Sequence, residues 1–157
     1  MSTLSKRQKS KAFTVIEIAV GMMIVALVYT TVTPAIIASI NNAKTSTTNN
    51  DIEEAQTEID DFYKKNGRFP DSLDEVFDEV PIDPWGNPYQ YTNILNAKGK
   101  GKGKFRKDKN LVPINSDYDF YSMGPDGKTA SPLTAAISQD DIVRGRNGLF
   151  VGVAADY

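Results

Sequence analysis

The stretch "FTVIEIAVGMMIVALVYTTVTPAIIASI", Phe13 to Ile40, constrains what this chain can fold into more than any other feature. A helix needs about 20 apolar residues to span a membrane. This run exceeds that, and its only charged side chain is Glu17. A secretory signal has a shorter apolar region, about 7–15 residues, followed by a small-residue cleavage site. A plain anchor could use Ile18 to Ile40 and would leave Glu17 without a role. A carboxylate in hydrocarbon is costly unless something neutralises it, so Glu17 reads as a functional residue.

Charge is unevenly placed. The net charge is −2, yet the first twelve residues hold Lys6, Arg7, Lys9 and Lys11 and no acid, so the body is the acidic part. A basic head before an apolar run predicts a cytoplasmic N-terminus and an acidic body on the far side of the membrane. Cysteine is absent, which excludes disulfides and thiolate metal sites. Histidine is also absent, which removes the usual general base and transition-metal ligand.

The helical pattern continues past the apolar run. After a polar patch, Asn41 to Asn50, apolar residues recur at Ile52, Ala55, Ile59 and Phe62, one stripe of a helix. Glu53, Glu54, Glu58, Asp60 and Asp61 lie largely off it. Gly67 and Pro70 predict the stop. The polar patch and Pro34 predict a bend or local melting. Beyond lies a small head, with a short helix over Asp71–Val80 and strands at Tyr89–Thr92, around Tyr118–Ser122, and within the C-terminal "GLFVGVAADY". A sheet this small needs a helix over one face, and the stripe Ile52 to Phe62 is the available cover. The fold class is α+β: a long N-terminal transmembrane and amphipathic helix packed on a small antiparallel sheet. The organisation is a leader at 1–12, a membrane and polymerisation helix at 13–40, an amphipathic continuation at 41–66, and a head at 67–157.

The residues "AFTVIE" resemble the processing site of type IV pilin-like proteins, in which a basic leader is cut before a Phe whose amine is then methylated. Ala12 stands where that family usually has Gly. The resemblance implies cleavage between Ala12 and Phe13, makes Glu17 the fifth residue of the mature chain, and gives Pro34 the family's helix-kinking role. It also implies that the Glu17 carboxylate meets the Phe13 amine of a neighbouring subunit in a filament. "NGRFP", "DPWGNPYQY", "DFYSMGPDGK" and "DDI" then follow in the order seen in the major, G-type pseudopilin of type II secretion systems. In physical terms Trp85 is a core anchor beside a tight turn that Pro84 and Pro88 restrain.

Heads of that family often bind calcium, and the matching carboxylates here are Asp126, Asp140 and Asp141. The connection between Asp126 and Asp140 is longer and less Gly-rich than the family's. The alternative is three aspartates that hold no ion.

"AKGKGKGKFRKDKN", Ala97 to Asn110, falls outside the resemblance. It holds seven basic residues, one acid and three glycines. The glycines predict a flexible loop between strands. It reads as a solvated hairpin loop. Alternatively Lys98, Lys100, Lys102 and Lys104 form an anion-binding surface for nucleic acid, an acidic partner or lipid head groups, or they meet the acidic helix face of a neighbour.

The resemblance implies a structural protein and not an enzyme. The expected role is an inner-membrane subunit, cleaved by prepilin peptidase, that homo-polymerises into a periplasmic pseudopilus with minor pseudopilins, an assembly platform and its ATPase. The alternatives are the major subunit of a surface type IV pilus, or a DNA-binding pilin-like protein of DNA uptake.

Overall fold

The structure, a computed structural model, describes residues 13–97 and 103–157. The chain divides into two units with the boundary between Ile40 and Asn41.

One helix, α1, runs from Val15 to Asn66. Its start is fixed by a reciprocal cap. The Glu17 carboxylate accepts from the Thr14 amide and hydroxyl, both at 2.8 Å, while the Thr14 hydroxyl accepts from the Glu17 amide at 3.3 Å. The helix continues through Pro34 and through the Asn41–Asn50 patch, so the expected local melting is not seen. Thr47 and Thr48 accommodate the patch by donating their hydroxyls to the carbonyls of Ala43 and Lys44, at 3.1 and 2.9 Å. The helix ends where Gly67 turns to φ +71° and its amide bonds the Tyr63 carbonyl at 2.8 Å.

In the unit from Asn41 onward, four short strands form one antiparallel sheet: β1 Gln90–Asn93, β2 Tyr118–Ser122, β3 Ile142–Gly145 and β4 Phe150–Val153, ordered as in sequence. β3 was not foreseen. It pairs with β4 through a tight turn in which Arg146, Asn147 and Gly148 all adopt positive φ. The Asp71–Val80 helix shrinks to a single turn at Leu73–Glu75. Ser72 provides no side-chain cap, and Pro81 prevents extension beyond Val80.

The sheet is covered on both faces. On one, Ile52, Ala55 and Ile59 of α1 pack with Tyr89, Tyr118, Phe120 and Ile142. Thr48 extends this buried stripe by one more turn. On the other, Ile114, Leu133, Val143 and Ala154 form a second cluster. Adjacent Ile142 and Val143 belong to opposite clusters, as the period of a strand requires. Ile114 brings the segment from Gly103 to Asn115 into this second cluster, and Phe105, Arg106 and Asn115 of the same segment are buried as well. That corrects the expectation of a wholly solvated loop. The pairing partners of these residues are distant in sequence, so local composition could not reveal the packing.

Candidate functional site

The first candidate site is the start of α1. Ala12 lies outside the described residues; Phe13 is 80% exposed. The side chains that follow, among them Ile16, Ile18, Val20, Met22 and Met23, are exposed and apolar. α1 is long and apolar enough, by length and composition, to cross a membrane. Glu17 Oε2 takes both Thr14 contacts. The spacing of Thr14 and Glu17 is itself a capping-box signature, legible in the sequence and missed there. Pro34 lies inside the same helix.

The second site is the junction between the "DPWGNP" turn and the loop after β2. Asp83 Oδ1 accepts from the amides of Trp85 and Asn87, at 3.0 and 2.8 Å. Asp83 Oδ2 accepts from the Ser122 hydroxyl at 2.5 Å, and that hydroxyl accepts from the Gly124 amide at 2.9 Å. Asn87 Nδ2 returns a bond to the Gly124 carbonyl at 3.0 Å. Gly124 has φ +63°, and a Cβ there would stand 2.2 Å from the Asp140 carbonyl oxygen, so the close approach requires glycine. Trp85 is partly buried against the core, with the Lys44 ammonium 5.8 Å from its ring centroid.

The three aspartates matched to the family's calcium site are not gathered around one point. Asp126 is exposed; its Oδ1 accepts from the Lys128 amide at 2.7 Å. Asp140 Oδ2 receives the Asp126 amide at 3.3 Å. Asp141 is fully buried and faces elsewhere: its Oδ2 accepts from Arg106 Nη2 at 2.5 Å and from the Thr129 hydroxyl at 2.6 Å. Burial pushes the Asp141 carboxyl up to about 6 against the opposing pull of Thr129 and Arg106. Among the described residues no three acidic side chains cluster as a metal site needs. Asp126, Asp140 and Asp141 therefore do not form the three-carboxylate cluster that the resemblance implies.

Of the candidate anion-binding lysines, Lys98, Lys100 and Lys102 lie outside the described residues, and Lys104 is exposed. On α1, Glu53, Glu54 and Glu58 present an exposed acidic face. Sequence reasoning missed Arg106, which seven basic residues in one segment made look solvated. It also missed Arg144, a charged residue 2% exposed within β3.

The long apolar helix that opens on Phe-Thr-Val-Ile-Glu and the four-stranded antiparallel sheet match an α+β, pilin-like fold. No family model matches the chain, and no solved structure matches it. The chain is similar to a pseudopilin, the type II secretion system core protein G of Pseudomonas aeruginosa, with 28% identity over 144 residues. The match covers 78% of this chain and 89% of that protein.

Proposed function

We propose that the chain is a structural subunit of a type II secretion pseudopilus. The observation that carries this reading is the match to core protein G over most of both chains. In this reading prepilin peptidase cuts between Ala12 and Phe13, the amine of Phe13 is methylated, and α1 anchors the subunit in the inner membrane with the head in the periplasm. Subunits polymerise through their apolar helices, with minor pseudopilins, a membrane platform and its ATPase as partners. The exposed apolar side chains of α1 supply the helix–helix surface, and removing one charge of a buried pair would cost about 3–5 kcal/mol. In this reading the Glu17 carboxylate forms such a pair with the Phe13 amine of a neighbour.

Intact-mass and N-terminal peptide analysis of protein from its native host tests the reading. The expected product begins at N-methylated Phe13. A chain that retains Met1 to Ala12 in assembled filaments overturns it.

A further inference from the structure

The two segments in which this chain departs from the pseudopilin pattern fold onto each other. The Lys107 amide donates to the Ser131 carbonyl at 3.1 Å, and the Leu133 amide returns a bond to the Lys107 carbonyl at 2.8 Å. The Ser131 hydroxyl donates to the Gly103 carbonyl at 2.8 Å. The basic segment is thus strapped to the lengthened 127–139 connection.

Arg106 fills the space between them. It is 1% exposed. Nη1 donates to the Thr129 hydroxyl at 2.5 Å and to the Ala130 carbonyl at 2.6 Å. Nη2 donates to Asp141 Oδ2 at 2.5 Å. The guanidinium carbon lies 4.4 Å from the Tyr121 ring centroid, a cation–π contact. Its own amide donates to Asp119 Oδ2 at 2.8 Å, which fixes the backbone from which the side chain departs.

We propose that Arg106 is a built-in cation that takes the place of a divalent metal in holding the 127–139 connection to the sheet. A calcium ion orders a loop by collecting carboxylate, hydroxyl and carbonyl oxygens. Arg106 collects one of each, from Asp141, Thr129 and Ala130. Those oxygens are committed to N–H donors, and the buried positive charge beside them repels a second cation. The planar fork of the guanidinium suits the task better than an ammonium, because its donors diverge in fixed directions. The fit is incomplete: Arg106 Nε and Asp141 Oδ1 are buried without a partner. A pair of this kind is costly to break from one side and much less costly to remove whole.

The inference rests on side-chain geometry and not on the secretion reading, so either can fail without the other. The test uses the full chain purified in detergent, with head melting followed by Trp85 fluorescence. Wild-type melting curves in EDTA and in excess calcium are expected to superimpose, and calorimetric titration with calcium alone is expected to show no binding. Arg106→Met should lower the melting temperature by on the order of 10 °C. Asp141→Leu should do the same, and the double variant should recover more than half of the summed loss. Arg106→Lys should fall between wild type and Arg106→Met. A calcium-dependent rise in the wild-type melting temperature that Asp140→Ala abolishes overturns the proposal. So do single-variant losses that add in full. Should Arg106→Met fail to fold, the wild-type titration decides the matter without it.

Discussion

Nε of Arg144 donates to Oε1 of Gln56 across 2.8 Å, and this bond joins β3 to α1. The approach is possible because Gly148 stands opposite: a Cβ there would lie 2.2 Å from the same Gln56 oxygen. The rest of the guanidinium is fully used. Nη1 and Nη2 grip Asp117 at 2.9 and 2.7 Å, and the group lies 3.9 Å from the Tyr118 ring centroid. One side chain thereby links the helix, the start of β2 and β3.

Loss of that link gives the first prediction. Arg144→Met should destabilise the head by about 3 kcal/mol, near the lower end for a broken buried pair because Asp117 keeps some contact with water. Gln56→Ala should cost about 1 kcal/mol, the worth of one hydrogen bond. Urea denaturation followed by Trp85 fluorescence checks both. Equal losses in the two variants would mean that Asp117 contributes nothing.

The second prediction concerns the start of α1. Glu17→Ala removes the carboxylate half of the cap with Thr14, worth about 1 kcal/mol locally, and with it the carboxylate that the proposed inter-subunit pair requires. Membrane insertion should persist while filament yield falls steeply. Thr14→Ala should lose the two hydroxyl bonds of the cap, keep the backbone amide bond to Glu17 and retain the carboxylate, and so assemble better than Glu17→Ala. Wild-type yield from Glu17→Ala would remove the inter-subunit pairing from consideration.

The basic segment divides into two behaviours. Replacing the exposed Lys104 with Ser should leave the melting temperature nearly unchanged, since exposed charges contribute little. Phe105→Ala, one residue further on, should cost about 3–5 kcal/mol because its side chain is buried. A thermal melt of both variants separates the two halves; similar losses would contradict the division.

Acid titration supplies the fourth prediction. Burial raises the Asp119 carboxyl above its ordinary value, against hydrogen bonds from the Arg106 amide and Asn115. A raised carboxyl in the folded state holds its proton where the unfolded chain has lost it. Its contribution to stability is therefore present at low pH and declines as pH rises above about 4. The stability difference between wild type and Asp119→Asn should shrink over that range. Urea midpoints for both proteins at a series of pH values measure it, and a difference that grows with pH contradicts the assigned sign.

What could be read from the sequence followed from local pattern. The stripe Ile52, Ala55 and Ile59, the Gly67 stop and the alternation along β2 each show within a few residues of one another. What could not be read depended on partners far away. β3 is four residues long and carries Arg144, whose burial makes sense only once Asp117 and Gln56 are in place. The Asn147-Gly148 turn was the one local hint of its hairpin. Arg106 looked like its exposed lysine neighbours because Thr129, Ala130 and Asp141 lie more than twenty residues on. The expected calcium ligands were matched by motif, and a motif does not state which way each carboxylate faces.

The cap that starts α1 draws its atoms from Thr14 and Glu17 alone. Every participant sits downstream of the bond between Ala12 and Phe13. Severing that bond would leave the knot untouched, because both ends of it are tied on the same side of the cut. A chain cut there would keep the same helix origin, and the helix would not have to find its beginning again.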